Sequence, residues 1–149
     1  MREFKPPQEY KYVWNRMGVF LAGGILGCPN WRKDLIELLK DEDIDILNPQ
    51  REDFPESDPN AKREQIEWEF NHLIKADLIS FWFSRGTVNP TTRFELGRWL
   101  VTDTPIVIGI DPDYSKIEGT LIQIELERPD IKVVHSLKEL AEQIKEACM

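Results

Sequence analysis

The sequence predicts an α/β domain in which a parallel sheet is flanked by helices. Three observations carry that prediction. Short apolar runs alternate along the chain with longer segments of helical period. One run, "DLISFWF" (77–83), has almost no polar interruption and reads as a central strand. A length of 149 residues with 41% hydrophobic content fits one compact domain.

Taken in order, residues 1–16 ("MREFKPPQEYKYVWNR") are polar and mixed in charge and read as an N-terminal extension of the single domain 1–149. "MGVFLAGG" (17–24) is a first strand running into glycines, and a helix follows from about Asn30 to Lys40. "IDILNP" (44–49) is a second strand closed by Pro49, and "QREDFPESDPN" (50–60) is an exposed loop. That loop is long for a connector, and loops of this length are often lids or binding loops. "AKREQIEWEFNHLIKA" places Ile66, Phe70, Leu73 and Ile74 on one helical face, with His72 on a polar, solvated one. After "DLISFWF" and the Glu95 helix come "TPIVIGID" (104–111), a helix from Ser115 to about Glu127, and "IKVV" (131–134) as a fifth strand. Ser136 with Glu139 three residues on forms a capping box that starts the last helix. Five parallel strands with helices on both faces make a flavodoxin-like or Rossmann-like sheet, whose ligands sit outside the carboxyl ends of the strands.

Charge and cysteine content exclude several function classes. A net charge of -8 argues against a nucleic-acid polymer as partner, because such binding needs Lys and Arg to neutralise phosphates. Cys28 and Cys148 are too few for a disulfide framework, which suits a reduced, cytoplasmic protein. No apolar run approaches the ~20 residues of a membrane span, and no signal-peptide core is visible. No His/Cys cluster has metal-ligand spacing and no G-x-G-x-x-G follows the first strand, so neither metal nor cofactor is expected.

The residue that needs explaining is Glu95 in "NPTTRFELGRWL" (89–100), a carboxylate between Phe94 and Leu96 at what reads as a buried helix start. Burying an ionised carboxyl is costly unless it is paired or used. A helix N-terminus favours a negative charge, so Glu95 is expected to stay ionised at pH 7 and to face the cleft as a nucleophile. First-turn capping is its ordinary use. Gly23 and Gly24 could let the backbone approach a sugar or phosphate, or simply make a tight connection. Arg51 could hold a phosphate or base edge or be a solvated loop cation, and Trp31 could stack a base or belong to the core.

Several separated motifs resemble the nucleoside 2-deoxyribosyltransferases and related nucleotide N-glycosidases: "VFLAGGI" (19–25), "NPQRED" (48–53), "IEWEFNHLIKADLISFWF" (66–83) and "FELG" (94–97). The resemblance implies that Glu95 attacks C1′ of a 2′-deoxyribonucleoside, expels the base and forms a glutamyl-deoxyribosyl ester that a second free nucleobase resolves. It also implies a homo-oligomer, because such enzymes commonly complete each site with a neighbour's residues. Two departures stand out. Where the family ends its third strand with an aspartate that protonates the base, this chain has Phe81, Trp82 and Phe83. Where members carry a sugar-binding aspartate about six residues before the nucleophile, it has Asn89, which can still bond a hydroxyl. Asp53 is the preferred substitute acid, and Glu67 or Glu69 could serve if their helix turned that face inward. The alternatives are a 5′-monophosphate N-glycosidase, with Arg51, Arg85 and Arg93 on the phosphate, or a binding module without turnover.

Overall fold

A computed structural model describes all residues, 1–149. Ten elements follow in order: β1 (Arg2–Phe4), β2 (Met17–Gly23), α1 (Trp31–Leu39), β3 (Ile44–Leu47), α2 (Ala61–Lys75), β4 (Leu78–Phe83), α3 (Pro90–Trp99), β5 (Ile106–Ile110), α4 (Ile117–Glu127) and α5 (Leu137–Ala147). The sheet is five-stranded and all parallel, in the order β1-β3-β2-β4-β5. β3, β2 and β4 lie between the edge strands, and all six residues of β4 are buried.

Because successive side chains of a strand face opposite ways, the two faces collect separate cores. Phe20, Phe81 and Ile108 face Trp68, Leu96 and Ile124 of α2, α3 and α4, whereas Leu21, Leu78 and Trp82 face Leu35 of α1 and Leu140 of α5. Asn30 caps α1 by accepting from the Lys33 N–H, and Ser136 Oγ caps α5 by accepting from the Glu139 N–H. Of the expected capping box, the Ser136 half is present, and the Glu139 carboxylate accepts from Ser136 Oγ at 2.8 Å.

The fifth strand is not the expected one. "IKVV" makes a single bridge, Val134 to Gly109, because only Val134 of that run is buried and the chain turns at once into α5. The edge is filled instead from within the expected N-terminal extension, where β1 registers Arg2, Glu3 and Phe4 against Asp45, Ile46 and Leu47. Phe4 supplies core contact, and the buried Asp45 carboxylate receives Arg2 and Arg16.

α2 turns a different face inward from the one its apolar residues mark. Ile66, Phe70 and Ile74 are about half exposed, while Ala61, Trp68, His72 and Leu73 are buried. His72 is fully enclosed, not solvated. It stacks on Trp68 at 3.8 Å, its Nδ1 donates to the Trp68 carbonyl at 2.7 Å, and its Nε2 accepts the Tyr10 N–H at 3.0 Å. Both ring nitrogens are thus satisfied in the neutral form, and burial, the largest influence, pulls its pKa down.

Candidate active site

The carboxyl ends of β2, β3 and β4 open on one edge of the sheet, and the residues following them meet there. The chain leaving β2 forms the Gly23–Gly24 turn. A side chain at Gly23 would collide with the Trp31 ring and the Trp82 carbonyl, so this glycine permits close packing of α1 on the sheet. Trp31 is correspondingly buried, with its Nε1 donating to the Gly24 carbonyl at 3.0 Å. Its ring belongs to the wall under the turn.

Asn89, just before α3, is 2% exposed and adopts φ 52°, the left-handed region that few side chains tolerate. Its Nδ2 donates to the carbonyls of Ser84 and Thr87, which fixes the amide orientation. The Oδ1 acceptor is left buried without a partner and lies against Gly24. Where either end of the amide could have bonded a sugar, only an acceptor is now on offer.

α3 starts at Pro90, so Glu95 stands in the second turn and not at the helix opening, and Phe94 beside it is exposed. The macrodipole fades beyond the first turn, and burial prevails. Burial first, and then the charge of Glu69, push the Glu95 carboxyl up to about 8, against the opposing pull of Arg32 and Arg98. Against the expectation of an ionised Glu95 at pH 7, burial favours the protonated carboxyl.

Glu69 sits on the inward side of α2, and burial also raises its pKa, opposed by Gln65 and Arg32. Gln65 donates to Glu69 Oε1 at 2.8 Å and to the Pro49 carbonyl at 2.7 Å, tying α2 to the chain leaving β3. Burial disfavours ionisation of both carboxyls, and the charge of Glu69 disfavours it further at Glu95. Such pairs, with environments that push acids away from their ordinary values, are characteristic of acid–base chemistry.

Asp53, in contrast, is exposed on the loop after β3, and no hydrogen bond or ion pair ties it to the cleft. Arg51 donates to Glu64 at 2.9 Å while its Nε is buried without a partner. Arg85 is held by Asp111 and Asp113, and Arg93 by the Tyr114 and Thr120 hydroxyls, so each of the three arginines expected to hold a phosphate already has a partner. No group of three or more His, Cys, Asp or Glu side chains is gathered for a metal ion. No helix is long and apolar enough to cross a membrane.

Sequence reasoning missed Arg32 and left Glu69 as a conditional choice. The signal was in the spacing: Gln65, Trp68, Glu69, His72 and Leu73 make one helical stripe, but it is polar and aromatic, and an apolar criterion selects its neighbours. No curated protein matches the chain. The family model described as nucleoside 2-deoxyribosyltransferase like matches residues 16–114, from β2 to just beyond β5. With that span covering well over half of its length, the chain belongs to the nucleoside 2-deoxyribosyltransferase-like family.

Proposed function

We propose that the protein cleaves and transfers the N-glycosidic bond of 2′-deoxyribosyl compounds by a retaining mechanism, with Glu95 as nucleophile and Glu69 as acid–base partner. The observation that carries this reading is the enclosed Glu69–Glu95 pair at the carboxyl edge of the sheet. In the reactive arrangement Glu69 carries a proton and Glu95 is ionised. Glu95 forms the bond to C1′ as the C1′–N bond breaks, and the departing base takes its proton from Glu69. The ester so formed is attacked at C1′ by a second base, whose N–H proton returns to Glu69 while Glu95 leaves as the carboxylate. Water in place of that base would make the enzyme a hydrolase, so a transferase requires a site that keeps water out. Asn89, with its free Oδ1, would accept a hydrogen bond from a sugar hydroxyl, and Gly24 would let the sugar approach.

Family membership supports a small-molecule substrate and an enzymatic role. The apolar surface of α2 (Ile66, Phe70, Ile74) and the neighbouring Phe94 and Val101 support assembly into a homo-oligomer, with Arg98 of α3 lying 4.4 Å over the Phe70 ring between the two helices. We place the protein in the cytoplasm, acting in nucleotide salvage.

The test is chromatographic: 2′-deoxynucleosides and their 5′-monophosphates are incubated with and without a second free base. Wild type should form new nucleoside only with the second base, Glu95→Ala should lose at least ~10³-fold, and Glu69→Gln about 10²-fold. Asp53→Asn should stay near wild type; a large loss there would return the acid's role to Asp53. Release of free base alone would identify a hydrolase. Binding without turnover of any substrate would reject the catalytic reading in favour of a nucleotide-derivative binding module.

A further inference from the structure

Arg32 presents a separate problem. It is 1% exposed, and no carboxylate lies within ion-pair distance of it. Its guanidinium donates to Leu21 O at 3.0 and 3.2 Å, to Gly23 O at 2.8 Å and to Gly24 O at 2.9 Å, all neutral backbone oxygens, and lies 4.3 Å from the Trp31 ring centroid. A buried cation without an ion-pair partner is expensive, and a neutral side chain could fill the space beneath the turn at lower cost. The charge itself therefore calls for a role.

The groups around it suggest one. Burial lowers the Arg32 pKa to about 10; against it, Cys28 of the loop, Glu69 of α2 and Glu95 of α3 favour the charged form through space, and Arg32 in return favours ionisation of both carboxyls. Gln65, by its hydrogen bond to Glu69, and Arg98, by its charge near Glu95, act in the same direction. Among these only Arg32 is both fully enclosed and charged, so its field is the least screened by solvent.

We propose that Arg32 is the positioning residue of this site: it anchors the Gly23–Gly24 turn through three carbonyl oxygens and supplies the fixed cation against which the Glu69–Glu95 pair carries its negative charge. Arg32 does not touch the substrate. It sets the shape of the turn over which the sugar lies and makes ionised Glu95 accessible near neutral pH. The inference rests on the reading of Glu69 and Glu95 as the reacting pair.

Three variants separate charge from shape. Arg32→Met removes both, Arg32→Gln keeps hydrogen bonding without charge, and Arg32→Lys keeps charge without the planar fork. The expected result is that the acid limb of kcat/KM moves up by about one pH unit in the two neutral variants. In Arg32→Lys the limb should stay in place while KM rises, because the turn is loosened. The carboxyl titration of 13C-Glu-labelled protein, assigned with Glu95→Gln, reads the same shift without turnover, so failure of the catalytic reading is distinguishable from failure of this one. Should Arg32→Met not fold, Arg32→Gln carries the test. An unmoved titration of Glu69 and Glu95 in a folded neutral variant, with losses that follow thermal stability alone, would overturn the proposal.

Discussion

At the scale of single residues, Glu95 ties stability to pH in a direction opposite to that of most surface carboxylates. Its folded value of about 8 stands above the ordinary 4.5, so between those limits the folded state binds more protons than the unfolded one. Stability contributed by this group is present below about pH 4.5 and is lost as pH rises through 8. Glu95→Gln removes that dependence. In urea titrations at pH 5 and pH 8, the variant should gain on wild type at the higher pH by about 3 kcal/mol. An equal difference at both pH values would argue that Glu95 titrates normally. Glu95 was legible in the sequence because a lone carboxylate between two apolar residues is an anomaly visible without neighbours. Its raised pKa was not, because the burial that chiefly causes it, and the approach of Glu69 from another helix, arise only on folding. Arg32 escaped for a related reason: its partners are backbone oxygens, which leave no trace in side-chain pattern.

At the scale of elements, the strands and helices whose apolar residues reach the core were legible, and the short edge pieces were not. β2, β3, β4 and β5 each carry a run of buried residues, and periodicity found them all. β1 has one buried residue in three and is held by pairing with β3 and by its arginine, which are tertiary causes. That same edge carries a measurable debt to electrostatics. Asp45 is wholly buried, and although burial alone would raise its pKa, the bonds from Arg2 and Arg16 keep it below the usual range. Asp45→Asn leaves two arginines facing a neutral amide and should cost about 3 kcal/mol, read from denaturant unfolding. A cost under about 0.5 kcal/mol would mean that solvent replaces the pair. α2 shows the limit of apolar periodicity, since its inward stripe is built from Gln65, Trp68, Glu69 and His72 while Ile66, Phe70 and Ile74 stay outside.

At the scale of the whole molecule, that reversed helix leaves a question of assembly. Apolar residues grouped on adjacent helices are unusual on the surface of a lone soluble chain and commonly mark an interface. If the proposed oligomer forms through this surface, Phe70→Glu in its middle should give monomers by light scattering where wild type gives oligomers, while leaving the thermal transition of the folded chain in place. Retention of the oligomer would move the interface elsewhere, with the groove lined by Leu100, Val101 and Ile124 between α3 and α4 as the next surface to probe. The net charge of -8 works against close approach of copies, so association through this surface should strengthen with added salt.

The parallel sheet also separates the two ends of the chain from its chemistry. Arg2 opens β1 beside Asp45, and Cys148, just past α5, lies in the field of Asp77 and Glu42, both at the amino edge of the strands. The candidate site is at the other edge. An affinity tag, a surface tether or a fused partner joined at either end would hang from the far side of the molecule. The protein could be immobilised by either end with its cleft still open to solution.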